Sequence, residues 1–278
     1  MRIRYSFSSR RTGRARAERT CQHRKPFPKI VMEIIKSSDL ILEVLDARFI
    51  EESRNKESER IVKEAGGKII YVFNKADLVD VKKLMQKIEL QDLKPYVFVS
   101  CKEREGAGRL RKMVKIEVSK LKLGRKANVG VIGYPNTGKS SLINLLIGKA
   151  SAKTAAESGF TRGIQKLNLT DDIAVLDTPG VIPEKEAGIE KEKYLKQAKL
   201  GVRTYDKVRD PEMVVSNLMK QYPSIENFYG VKADGDAEIL IEQVGKKKHF
   251  LVKGGEVDAD RTARLILKDF QEGKIEVI

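Results

Sequence analysis

An α/β fold with a mainly parallel sheet, followed by a smaller all-helical region, is what this sequence predicts. Two observations lead there. Up to about residue 177, short apolar runs rich in Val and Ile alternate with charged stretches of helical length. From Pro183 onward the periodicity turns helical. Composition permits both parts: 278 residues, 41% hydrophobic and 34% charged, are enough for a buried core under a heavily charged surface.

The elements follow in order. LILEVLDA (Leu40–Ala47), KIIYVF (Lys68–Phe73), YVFVS (Tyr96–Ser100), NVGVIG (Asn128–Gly133) and IAVLD (Ile173–Asp177) read as buried strands. IQKLNLT (Ile164–Thr170) alternates and reads as a half-exposed edge strand beside IAVLD. Helices are predicted over Ser53–Ala65, Val79–Glu89, Gly106–Lys120 and Gly138–Ile147, the last stopped by Gly148. Beyond the sheet, PEMVVSNLMKQYP starts on Pro211, a good first-turn residue, and stops before Pro223. DADRTARLILKDFQEG puts Ala263, Ile266, Leu267 and Phe270 on one face, with Gly273 past its end. The expected division is a basic arm over 1–29, an α/β domain over 30–185 and a helical domain over 186–278.

Charge is unevenly spread. The net charge is +16, and residues 1–29 carry eight Arg and two Lys against one Glu, a net +9. A basic arm fits a polyanionic partner, nucleic acid before membrane. Its Arg-rich, acid-poor composition is also that of an organelle transit peptide. GKKKHF (Gly245–Phe250) adds a second basic cluster, which reads equally as a solvated loop. Cys21 and Cys101 form no CxxC pair and no metal cluster with His23 and His249, which fits a reducing, cytoplasmic setting. No apolar run reaches the length of a membrane span.

The chemistry lies at the predicted strand ends. Gly133-Tyr-Pro-Asn-Thr-Gly-Lys-Ser140 matches G-x-x-x-x-G-K-[ST], follows a strand and opens a helix. Its glycines let backbone approach phosphate, and its N–H groups face the negative charge. Pro135, Asn136, Thr137, Gly138, Lys139, Ser140 and Ser141 are the expected phosphate contacts. Lys139 would reach the β- and γ-phosphates and Ser140 would ligate Mg2+. Asp177-Thr-Pro-Gly180 follows IAVLD; Asp177 would hold the Mg2+ shell and the Gly180 N–H would meet the γ-phosphate. Thr161, in SGFTRG (Ser158–Gly163), offers a second hydroxyl to Mg2+ and joins Lys139 as an expected catalytic group.

Asn74-Lys75-Ala76-Asp77 follows KIIYVF. A carboxylate there accepts from the two donors of a guanine edge, a pair adenine lacks. The Lys75 stem would lie along the base. In Ser100-Cys101-Lys102 the Cys101 N–H would donate to the guanine O6.

These motifs resemble those of GTP-hydrolysing proteins, but in rotated order, with the base reader ahead of the phosphate loop. The order is similar to that of the circularly permuted GTPases of the YlqF/YawG family, which act in ribosome assembly. VLDAR (Val44–Arg48), SRN (Ser53–Asn55) and KGG…DFQEGKI (Lys253–Ile275) strengthen the resemblance, which covers about residues 38–278. It implies a P-loop GTPase domain of circularly permuted topology and a small all-α C-terminal domain. It implies GTP and GDP as ligands, Mg2+, and a ribosomal subunit precursor with its rRNA as partner, with the chain expected to act as a monomer away from membranes. LKLGRKA (Leu121–Ala127) must rejoin the old chain ends; seven extended residues reach at most about 25 Å.

Two departures concern hydrolysis. Val181 stands where many small GTPases place a water-orienting Gln, so hydrolysis is expected to be slow without a partner or ion. The Phe-Pro-Gly-His-Met segment of some family members is absent, and His23 sits instead in QHRKPFP. Asn136 occupies the position where related proteins recruit K+; equal turnover in Na+ and K+ would remove that expectation. An RNA-binding scaffold with a weak or vestigial nucleotide site is the alternative function, and a GTPase for tRNA or membrane-associated targets a third.

Overall fold

The computed structural model describes residues 27–87, 91–148, 165–177 and 191–277. The DTPG segment beyond Asp177, Thr161, Val181, His23 and most of the basic arm lie outside these residues. Six strands form one sheet: β1 (Leu40–Asp46), β2 (Lys68–Asn74), β3 (Tyr96–Phe98), β4 (Ala127–Ile132), β5 (Gln165–Asn168) and β6 (Ile173–Asp177). Their order is β3-β2-β1-β4-β6-β5, parallel throughout except for β5, which runs antiparallel at the edge.

Both faces are covered, which is why the strands are apolar on both sides. Leu40, Leu42 and Val44 of β1 pack with Val129 and Val131 against α5 (Ala107–Leu121) and α6 (Lys139–Ile147). Ile41 and Leu45 face the other way, onto α1 (Phe27–Ser37), α3 (Lys56–Glu64) and α4 (Val81–Lys87).

The structure corrects several predicted boundaries. The helix expected over Ser53–Ala65 is a short turn α2 (Ile50–Ser53) followed by α3, because Asn55 leaves helical geometry and caps α3 by accepting from the Ser58 N–H at 3.0 Å. Helix α1 starts at Phe27, inside the stretch assigned to the arm; Val31, Ile34 and Ile35 give it an apolar face. The strand expected over Tyr96–Ser100 pairs only through Phe98, although the Val99 N–H still donates to Phe73 O at 2.9 Å. The rejoining segment is short and pinned. Arg125 grips Asp39 at 2.9 and 2.6 Å, tying the approach to β4 to the start of β1.

After residue 190 the described chain is helical: α7 (Lys191–Lys199), α8 (Pro211–Gln221), α9 (Ser224–Tyr229), α10 (Ala237–Lys247) and α11 (Ala259–Gln271). Ala263, Ile266, Leu267 and Phe270 are all buried, as their spacing predicts. This helical core also contains two residues from the sheet side, Phe49 after β1 and Tyr134 after β4. Phe49 stacks on Phe270 with ring centroids 6.0 Å apart.

One strand residue breaks the apolar pattern. Glu43, at the middle of β1, is 0% exposed. Its Oε1 accepts from the Asn55 N–H at 2.9 Å, while its Oε2 is buried without a hydrogen-bond partner. Burial, with the Glu59 carboxylate adding to it, pushes the Glu43 pKa up to about 8; the Asn55 N–H and the charges of Arg54 and Lys63 pull more weakly the other way. Between roughly pH 4.5 and 8 the folded chain therefore holds a proton that the unfolded chain has released, and stability falls as pH rises through that window. The slope is up to about 1.4 kcal/mol per pH unit. Glu43→Gln keeps the acceptor for Asn55 and removes the titration. Urea unfolding at pH 5.5 and 8.5 is expected to show a smaller loss of stability in the variant; equal losses would refute the assignment.

Candidate nucleotide-binding site

The carboxyl ends of β1, β2, β4 and β6 meet at one edge of the sheet, where parallel α/β folds bind ligands. The loop from Gly133 to Gly138 leaves β4 there and runs into α6. Gly133 has φ +148°, and a Cβ would stand 2.4 Å from Val44 O. Gly138 has φ +96°, and a Cβ would stand 2.2 Å from Asn74 Nδ2. Only glycine serves at either position. The Thr137 hydroxyl closes the loop on Tyr134 O at 2.9 Å. Gly138 caps α6 without a side chain, so the N–H groups of the first turn face outward for an anionic acceptor.

Lys139 is buried, and its Nζ donates to Gly133 O at 3.0 Å and Tyr134 O at 2.5 Å. Burial pushes its pKa down to about 7, against the pull of the Asp177 carboxylate. Asp177 ends β6 and is buried; Ser140 and Ser141 lie exposed on the first turn of α6, and Pro135 is half-buried.

The NKAD segment is fastened to this loop. Asn74 donates through Nδ2 to Thr137 O at 2.7 Å, and its Oδ1 accepts from the Cys101 N–H at 3.3 Å. One buried side chain thus joins the three predicted motifs. Asp77 lies on an exposed turn, where the Ser100 hydroxyl donates to its Oδ1 at 2.6 Å. Lys102 is exposed beside Glu103. The Cys101 thiol is pushed up to about 11 by burial and the Asp77 carboxylate, so it is no nucleophile at neutral pH.

Lys75 takes a left-handed conformation, φ +62°, and its Nζ donates to Asp46 Oδ2 at 2.7 Å. Asp46 is also held by Arg48, through Nε at 3.0 Å and Nη2 at 2.8 Å. Burial alone would raise the Asp46 carboxyl, but Arg48 and Lys75 together hold it at about 2. DAR and SRN therefore have structural work: Asp46 anchors Lys75, Ser53 accepts from the Asp46 N–H at 3.1 Å, and Asn55 caps α3. Motif reading alone gave no sign of the Asp46–Lys75 pair.

Asn136, at φ +63°, donates through Nδ2 to Gly201 O of the helical region. In GKKKHF, Lys247 donates to Tyr229 O and Lys246 pairs with Glu242, so two of the three lysines are engaged locally. Among the described residues no three His, Cys, Asp or Glu cluster as a metal site. Ser140 and Asp177 are hard oxygen donors, and such a sparse set suits Mg2+, which takes the rest of its shell from phosphates and water. No helix among the described residues is long and apolar enough to cross a membrane.

Comparison with known proteins agrees with this geometry. A family model described as "50S ribosome-binding GTPase" matches residues 128–230. An uncharacterised GTP-binding protein of Methanocaldococcus jannaschii is 40% identical over 256 residues, covering 90% of this chain and 66% of that protein. The guanine nucleotide-binding protein-like NSN1 of Arabidopsis thaliana is 31% identical, over 90% of this chain and 48% of its own. Nucleolar GTP-binding protein 2 of Saccharomyces cerevisiae is 35% identical, over 87% and 51%. The chain thus spans about half to two thirds of the length of these relatives. The crystal structure of GNP-bound YlqF from T. maritima superposes with a TM-score of 0.62 at 23% identity, covering 89% of this chain and 94% of that one, which shows a shared fold.

Proposed function

We propose that this chain, which belongs to the YlqF/YawG family of circularly permuted GTP-binding proteins, binds GTP, hydrolyses it to GDP and phosphate, and serves as an assembly factor on a precursor of the large ribosomal subunit. The observation that carries the proposal is Asn74. It holds Thr137 of the phosphate loop and Cys101 of the SCK segment at once, so a guanine reader and a phosphate cradle are built as one unit.

In this reading Asp77, oriented by Ser100, accepts from the two donors of the guanine edge, and the Lys75 stem lies along the base. The loop N–H groups and the start of α6 take the phosphate charge. Lys139 leaves the loop carbonyls for the β- and γ-phosphates, gaining full charge from its new partners. Ser140, Asp177 and Thr161 would hold Mg2+, which would supply charge neutralisation to the bound phosphates. Gly180 and Thr161, which the motif assigns to sensing the γ-phosphate, lie outside the described residues. The water-orienting group belongs to the ribosomal particle or to K+. Asn136 would offer K+ its Oδ1, since its Nδ2 is engaged with Gly201 O.

The partner reading is a ribosomal particle contacted through rRNA, by a monomer working in the cytoplasm. It is supported by the name of the matching family model and by the net charge of +16. Sedimentation with purified ribosomal subunits tests it. Co-migration with the large subunit in a non-hydrolysable GTP analogue, and loss of it in GDP, is the expected result. No binding to either subunit in either state would sink the proposal.

A further inference from the structure

Two separate contacts tie the end of α11 to the segment assigned to guanine. The first runs through Arg48. Its Nη1 donates to Phe270 O at 3.0 Å, in the last turn of α11, while Nε and Nη2 grip Asp46, which in turn holds Lys75. A guanidinium at a helix C-terminus is well placed for the exposed carbonyls and the negative end of the dipole. The second contact runs through Gly273. It has φ +76°, and a Cβ there would lie 2.3 Å from Leu78 Cδ1. Lys75 and Leu78 bracket Asp77. The base-reading turn is therefore braced on both sides by one helix end, whose residues are 222 positions away from Arg48 for the Phe270 contact.

We propose that the C-terminal end of α11 sets the rate at which guanine nucleotide leaves, with Asp46 and Arg48 as positioning residues for Lys75 and Asp77. The inference rests on the guanine assignment above and adds its regulation. Both contacts touch the base side, which GTP and GDP share. The device therefore reads occupancy and is indifferent to hydrolysis, unlike a switch at the γ-phosphate. By linkage, a partner that draws α11 off Leu78 and Arg48 weakens GDP and GTP alike, and bound nucleotide tightens the docking of α11 by the same factor.

Displacement of mant-labelled GDP, and of a mant-labelled non-hydrolysable GTP analogue, measures this in the full chain. Arg48→Gln cannot bridge Asp46 to Phe270, and Gly273→Ala displaces Leu78 without touching the ion pair. Both are expected to raise the two off-rates by a common factor of roughly tenfold, within the range usual for coupled sites. Discrimination between GDP and inosine diphosphate, which lacks the 2-amino group Asp77 reads, is expected to shrink; a general loss of stability would not shrink it. Arg48→Lys keeps a cation beside Asp46 without the fork, and covers the case in which Arg48→Gln fails to fold. Off-rates within twofold of wild type in Gly273→Ala and the Arg48 variants overturn the proposal, as does a change for one nucleotide only. Wild-type protein with no affinity for mant-GDP would overturn the guanine assignment itself, a result distinct from normal binding with insensitive variants.

Discussion

Lys139→Ala is expected to reduce GTP turnover by roughly 10²–10³-fold, the scale of removing one charge-stabilising donor from a transition state. The loop positions the ammonium by burying it against Gly133 O and Tyr134 O, with Asp177 as the neighbouring negative charge. Burying this ammonium costs folding energy, as its lowered pKa shows, but its removal also takes the positive neighbour from the buried Asp177 carboxylate and the donor from two loop carbonyls. The expected signature is a steep fall in the single-turnover rate at a temperature where circular dichroism shows the variant folded. Turnover within twofold of wild type would mean that this loop is not where the γ-phosphate is handled.

Asp77→Asn is expected to invert base preference. In the proposed site the carboxylate would accept from two guanine donors; an amide offers one acceptor and turns a donor toward the other. Each charge-assisted hydrogen bond lost at such a site is worth about 1.5–3 kcal/mol. GTP affinity is then expected to fall by roughly 10²–10⁴-fold, while xanthine nucleotides, whose 2-oxo group accepts, gain. The hydroxyl of Ser100, donating to Oδ1 at 2.6 Å, fixes the rotamer that makes the swap selective. Competition of GDP and XDP against a mant-labelled nucleotide reads the outcome. A variant that still prefers GDP would move base recognition away from Asp77.

The strands were legible because a sheet covered on both faces writes continuous Val- and Ile-rich runs, and β1, β2, β4 and β6 were found within a residue of their ends. GYPNTGKS and NKAD stood out in the sequence as residue types at fixed spacing, and the structure brings the two segments together through Asn74. What stayed hidden depends on partners far apart in sequence. Nothing local to DAR says that Asp46 will meet Lys75 or that Arg48 will cap a helix 222 residues on. Tyr134 reads as a variable loop position, yet it is 0% exposed inside the helical core. The helix expected from Ser53 failed at Asn55, where a side-chain cap outweighed a continuous charged pattern. Glu43 broke the apolar run of β1 without indicating that it would be buried.

The sheet order has a consequence for how the protein is made. Synthesis delivers β1, β2 and β3 first, and β1 has one bare edge until β4 emerges from the ribosome. At common elongation rates that wait lasts a few seconds. An unpaired LILEVL edge is an aggregation hazard, and nature guards such segments with a charge. Before burial, Glu43 ionises at its ordinary value and supplies that charge; once β1 is enclosed, its pKa rises to about 8 and the charge is withdrawn at neutral pH. An ionised Glu43 in the nascent strand is thus a charge that the finished sheet no longer carries at neutral pH.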